Sequence, residues 1–163
     1  MALTYGTRTA ITMDPSSLAG DTNLVAGVES AEQNNGSDLF QDVLVQGKVT
    51  GHASTAPTVG QQIRVYVWGS DASLGSTAID VLDGTSSAET LGHAAVRESL
   101  RLAATATVTV ATAGLVYPIQ PFNVASFFGG AMPKYWGLFL VHNHTGALAA
   151  SQADLFAKTG ITY

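Results

Sequence analysis

His142 and His144 are the residues of this chain best placed, by type and spacing, to do chemistry. Two imidazoles at i and i+2 on a strand project to one face, as a metal-binding β-sandwich would present a ligand pair. Such a site needs a carboxylate a few residues further on. The chain instead continues Thr145, Gly146, Ala147, Leu148, Ala149, Ala150, and the next acid is Asp154. His52 and His93 could supply a third ligand only through a contact made by the fold. The pair is therefore expected as polar residues at a strand end entering a turn, with no metal and no cofactor.

Other reactive groups are less well arranged. Asp80 and Asp83 flank Val81 and Leu82 before Gly84. As a carboxylate pair they could serve glycoside hydrolysis or calcium, but the acidic loop pattern of a calcium hand is missing. An Asp-Gly turn closing a strand accounts for Asp83 and Gly84 without chemistry. No G-x-S-x-G elbow selects a nucleophilic serine. Gly129 and Gly130 follow two phenylalanines and precede Met132-Pro133, unlike a phosphate-binding loop. No catalytic residue is expected. The aromatics Tyr66, Trp68, Tyr135 and Trp136 offer a different possibility, a stacking platform for sugar rings. Tyr66 and Trp68 alternate with Val65 and Val67, so they face either solvent or a second layer. Burial against a loop or a neighbouring subunit is the alternative fate, since large aromatics favour interfaces.

The elements that must position these residues are strands. Gln61–Gly69 reads QQIRVYVWG with period two, a half-buried strand with a second, amphipathic face. Val43, Val45 and Val49 share one face of another strand, with Gln46 and Lys48 opposite. From Leu100 to Val110, alternation places Leu100, Leu102, Ala104, Ala106, Val108 and Val110 on one face and Arg101 and three threonines on the other. Shorter strands are expected near Thr7–Met13, Thr77–Leu82, Leu115–Gln120, Trp136–His142 and Phe156–Tyr163. Helix is confined to a turn or two within Ala94–Ala104 and a short turn between Ser151 and Phe156. The connections, such as EQNNGSD and GHASTAPTVG, are rich in turn-forming residues. About eight strands at this spacing predict an all-β fold, a jelly-roll-like two-sheet sandwich. Residues 39–163 would form the sandwich domain. Residues 1–38, weakest in strand pattern, would form an N-terminal arm over a neighbour or an edge strand with a long loop.

Composition narrows the function classes. A chain of 163 residues suits one domain and can bury roughly 70% of its unfolded surface without a staple. It has no cysteine, which removes disulfides, thiolate zinc sites and cysteine nucleophiles together. Charged residues make up 12%, about half the ~25% typical of soluble domains. The seven cations (Arg8, Lys48, Arg64, Arg97, Arg101, Lys134 and Lys158) are scattered through the sequence, and the net charge is −5. A phosphate-neutralising patch needs several cations on one face, so nucleic acid is not expected as a partner. No apolar run approaches the ~18 to 20 residues of a membrane span. The first residues lack the charged-then-apolar order of a signal peptide, so synthesis in a cytoplasm is expected. Few charges beside an aromatic-rich segment imply apolar patches of the kind that mark interfaces, so a homo-oligomer, trimer or dimer, is expected.

The aromatic-rich segment is FNVASFFGGAMPKYWGLFLVHNHTG, residues 122–146, interrupted by one formal charge, Lys134. It reads as a turn-and-wedge (Phe127–Pro133) feeding a buried strand (Trp136–His142). With RLAATATVTV before it and KTGITY after it, the stretch resembles small structural proteins from the virion modules of tailed bacteriophages. The likeness runs over roughly residues 40–163, and MPKYWGLF is its specific part. The resemblance implies a non-enzymatic β-sandwich component of a virion, above all a capsid decoration (cement) protein on the head shell. Its partners would be the major capsid protein or other virion proteins. A receptor- or glycan-binding module on a tail or fibre is the other role it leaves open.

Overall fold

A computed structural model describes residues 2–76, 78–150 and 156–162. The strands are β1 (Thr4–Tyr5), β2 (Thr9–Ala10), β3 (Ala26–Glu29), β4 (Gln33–Asn34), β5 (Asp42–Thr50), β6 (Gln62–Ser70), β7 (Ala88–Thr90), β8 (Arg101–Thr107), β9 (Val116–Asn123), β10 (Tyr135–His142) and β11 (Phe156–Thr162). Two short helices, α1 (Asn35–Asp38) and α2 (Ala94–Ser99), and a 3-10 turn at Ala125–Phe128 complete the described elements.

The strands form two antiparallel sheets packed face to face. One runs β1/β2–β11–β5–β9 and the other β7–β3–β10–β6–β8, with β4 also on β10. If β1 and β2 count as one interrupted strand, the pairings nest: β1/β2 with β11, β3 with β10, β5 with β9 and β6 with β8. A long hairpin rolled up on itself gives that nesting, and it is the jelly-roll order. The expected all-β two-sheet sandwich is the fold observed.

The two sheets differ in what covers them. Between them lies the main core, with Val43, Val45 and Val49 from β5 facing Ile63, Val65, Val67, Leu138 and Leu140. In the β7–β3–β10–β6–β8 sheet, the outward face of the central strands β10 and β6 is buried as well. Tyr66, Trp68, Phe139 and Val141 pack there against Leu24, Leu74, Leu82, Leu91 and Leu100. Most of these partners belong to residues 71–100, the β6–β8 connection, which folds back as a cover. We call this the covered sheet and its partner the open sheet. The two apolar clusters lie between the sheets and under the cover, and neither lies on the outer face of the open sheet.

The cover is fastened by carboxylates that accept backbone amides. Glu32 accepts from Ser73 Oγ (2.8 Å) and Leu74 N (2.7 Å), and Glu29 from Asp83 N (3.0 Å) and Gly84 N (3.1 Å). Asp80 accepts from Gly92 N at 2.7 Å, and Arg97 donates to the Asn23 carbonyl at 2.6 Å. The Leu74, Asp83 and Gly84 amides are part-buried, and leaving such a group unpaired costs about 1–3 kcal/mol. Gly137 shows how tightly the layer packs. It lies opposite Trp68, and a Cβ at that position would run into the indole ring.

Three expectations are corrected here. Thr77–Leu82 is no strand: its described part holds one isolated bridge, Ile79 to Leu82, closing a tight turn in the cover. Leu102 does not share a face with Ala104. A bulge in β8 sets Ala104 opposite Val65 and Leu102 opposite Tyr66, so Leu102 turns outward and is 47% exposed. Residues 1–38 are not arranged as one arm. Ile11 and Met13 enter the main core, and β3 pairs with both β10 and β7 inside the covered sheet. Only residues 2–10 are exposed along their whole length, as the broken edge strand beside β11. The apolar run VAGV before Glu29 was too short to betray a central strand. Finally, α2 and β8 both form in the stretch where helix and strand competed; the turn expected at Ser151–Phe156 lies mostly outside the described residues.

Candidate functional site

The histidine pair sits where β10 leaves the sandwich. His142 lies opposite Ile63 and points into the main core, fully buried, and His144 follows at 4% exposure. They stand at the strand end and lead into a turn, as expected, but are buried in the core. The Leu18 carbonyl can only accept, so His142 Nε2 donates to it at 2.9 Å. The His144 N–H can only donate, so His142 Nδ1 accepts at 3.2 Å. Both ring nitrogens are thereby engaged and the neutral tautomer is fixed, which leaves no lone pair for a metal.

His144 packs edge-on against His142 (5.3 Å between ring centres) and against Tyr117 of β9 (5.2 Å). Its Nε2 and the Tyr117 hydroxyl are buried with no hydrogen-bond partner among the described residues. Burial pushes His144 down to about 4, with a smaller contribution from His142. Burial likewise lowers His142, against the Leu18 hydrogen bond, and raises Tyr117. Gly20 permits the close packing here, because a Cβ on it would collide with the His144 carbonyl.

His52 and His93 do not join the pair. His52 Nδ1 accepts from the Ser54 and Thr55 amides, and His93 is exposed before α2. Among the described residues, no three His, Asp or Glu side chains stand close enough to hold a metal ion. Asp80 and Asp83 act as turn and loop acceptors; Asp83 bonds Thr85 N at 2.9 Å and Thr85 Oγ1 at 2.6 Å.

The aromatics are not an exposed platform. Tyr66 (5% exposed) and Trp68 (2%) lie under the cover, and Trp136 (1%) lies in the main core. Tyr135 is half-buried, with Lys134 Nζ 5.3 Å from its ring centre. The reason is the 71–100 connection, which claims the face that alternation left undecided for Tyr66 and Trp68.

Two features escaped sequence reasoning. Glu29 is a fully buried carboxylate. Burial raises it to about 7, opposed by the Asp83 and Gly84 amides and assisted by the nearby Asp83 and Glu89 charges. The second is the outer face of the open sheet. Register places Leu44, Gln46 and Lys48 of β5, Val116 and Pro118 of β9, and Ala157 and Thr159 of β11 on it. A shallow groove of about 400 Å³ there is lined by Arg8, Gln46, Lys48, Pro118 and Pro121. The alternation of β5 was the available signal for this face; the approach of Arg8 to it was not legible.

Fold and side chains define an all-β jelly-roll protein in which buried Glu29 and His142 hold loop backbone in place. No family model, curated protein or solved structure matches the chain. Among the described residues no helix is long and apolar enough to cross a membrane.

Proposed function

We propose that this chain is a non-enzymatic structural protein of a tailed-bacteriophage virion, a capsid decoration protein that binds the head shell and stabilises it. The observation that carries the reading is the stretch FNVASFFGGAMPKYWGLFLVHNHTG and its resemblance to such proteins. In the fold this stretch supplies the 3-10 turn, the left-handed glycines Gly129 and Gly130, and β10 at the centre of the covered sheet. Two further features support it. His142, Glu29, Asp80 and Asp83 are each engaged by backbone partners, and His144 is buried against Tyr117. A jelly roll also offers broad sheet faces, where many weak contacts, repeated over a symmetric lattice, add up. The partner would be the major capsid protein.

Labelling this protein in purified virions tests the reading. Label over the head, with lower heat tolerance of capsids lacking the protein, is the expected result. Label confined to the tail, or capsids indifferent to its loss, would overturn it.

A further inference from the structure

Most of this molecule's net charge lies in the cover. Residues 71–100 carry Asp71, Asp80, Asp83, Glu89 and Glu98 against Arg97 alone, a net of −4 out of the chain's −5. Arg97 is paired with Glu98 at 2.6 Å, so the other four carboxylates have no cation within the cover. Asp71, Asp80 and Asp83 are exposed and Glu89 is half-buried. Two cations border this field: Arg101 at the start of β8, and half-buried Arg64 of β6, bonded to Gln62 at 2.9 Å.

The outer face of the open sheet has the opposite sign. Arg8 is exposed and Lys48 half-exposed, both lining the groove beside Pro118. Neither belongs to an ion pair among the described residues, where the pairs are Arg97–Glu98 and Lys158–Asp38. Asp42, at the far end of β5, is taken by the Val43 and Ala125 amides. Around the two cations the accessible residues are uncharged: Leu44, Gln46, Val116, Pro118 and Thr159. An uncharged surface with two unpaired cations suits an acidic protein surface, and this chain carries one on its opposite side.

We propose that the outer face of the open sheet, centred on Arg8 and Lys48, docks a second copy of this chain through that copy's acidic 71–100 cover. The two surfaces lie on opposite sides of the sandwich, so the contact is head-to-tail. It closes into a ring if the rotation between copies permits and otherwise continues as a filament. The proposal concerns the purified chain alone and goes beyond the virion reading, so either can fail without the other.

Sedimentation velocity over a concentration series, at low and high salt, tests it. The wild-type chain should associate at low salt and dissociate as salt screens the contact. Arg8→Glu with Lys48→Glu should raise the Kd about tenfold or more. Asp71→Lys with Glu89→Lys, on the other face, should do the same. Mixing the two reversed variants, each shown folded by circular dichroism, should restore association through the swapped charges. A chain that is monomeric at every concentration overturns the proposal, as does association indifferent to salt and to both reversals. If each variant dissociates but their mixture does not reassociate, the cover is not the partner surface and the proposal also fails.

Discussion

The covered and open sheets bury their inner faces against the same core yet treat their outer faces in opposite ways. In the covered sheet, seven consecutive residues of β10, Trp136–His142, are buried, because the β6–β8 connection lies on the side the core does not reach. In the open sheet, β9 alternates, with Tyr117, Ile119 and Phe122 buried and their neighbours exposed. Antiparallel sheets commonly keep one face in water. The covered sheet is the exception, and the cost of burying a second face falls on its polar groups. Loop amides there need acceptors, and Glu29 and Glu32 supply them. Side chains on the covered sheet therefore act in stability, whereas those on the open face are free to act in contact.

Truncating each outer face puts the largest difference on that comparison. Phe139 is fully buried between the covered sheet and its cover, so Phe139→Ala should cost about 3–5 kcal/mol. Gln46→Ala, on the exposed outer face of β5, should stay within about 0.5 kcal/mol. Urea unfolding of both variants checks this. Equal losses would mean that the cover is not a packed layer.

The pH dependence of stability sharpens the same contrast, because Glu29 in β3 and His142 in β10 are both buried in the covered sheet, with His144 just beyond it. Glu29 is raised from 4.5 to about 7, so the folded state holds its proton more tightly. Its contribution to stability is complete below pH 4.5 and is lost as pH rises towards 7. His144 is lowered from 6.5 to about 4, so the unfolded chain binds the extra proton and stability falls as pH drops from 6.5 towards 4. His142, also lowered by burial, adds to that second slope. The opposing terms partly cancel between pH 4.5 and 6.5 in the wild type. Glu29→Gln should make stability climb more steeply with pH over that window, by up to about 1.4 kcal/mol per pH unit. His144→Gln should flatten or reverse the climb. Chemical unfolding at a series of pH values reads both slopes. An unchanged slope in Glu29→Gln would show that its carboxyl titrates normally.

What the sequence made legible follows the same division. Where a strand is half-exposed, as in β5, alternation announced it and named the inward valines Val43, Val45 and Val49. Where a strand is buried on both faces, alternation is silent about which layer lies outside, which is why Tyr66 and Trp68 were left between solvent and a second layer. The cover itself carries little periodic signal. Its hold on the sheet comes from Glu29 and Glu32 reaching amides more than 40 residues away in sequence, pairings that no spacing rule reveals. The histidines were singled out by spacing alone; their burial depended on Leu18 and Gly20, brought in from a segment expected to lie elsewhere. The bulge that turns Leu102 outward is likewise a product of pairing with β6 and left no mark in β8.

The smallest effect on stability is expected at the edge of the open sheet. β9 is its last strand on that side and carries Pro118 and Pro121 within eight residues. Proline lacks the N–H that a further strand would use, so it is tolerated at a sheet edge and blocks strand addition there. Replacing both with valine leaves the buried positions Tyr117, Ile119 and Phe122 untouched. Folding stability should therefore change by no more than about 0.5 kcal/mol. Association should nevertheless rise, because a bare edge with new N–H groups recruits another strand through backbone hydrogen bonds. That added association should persist at high salt, unlike docking on the Arg8–Lys48 face, since charge plays no part in it. Sedimentation of the double variant at low and high salt separates the two modes. If the variant associates no more than the wild type at high salt, the prolines do not guard this edge.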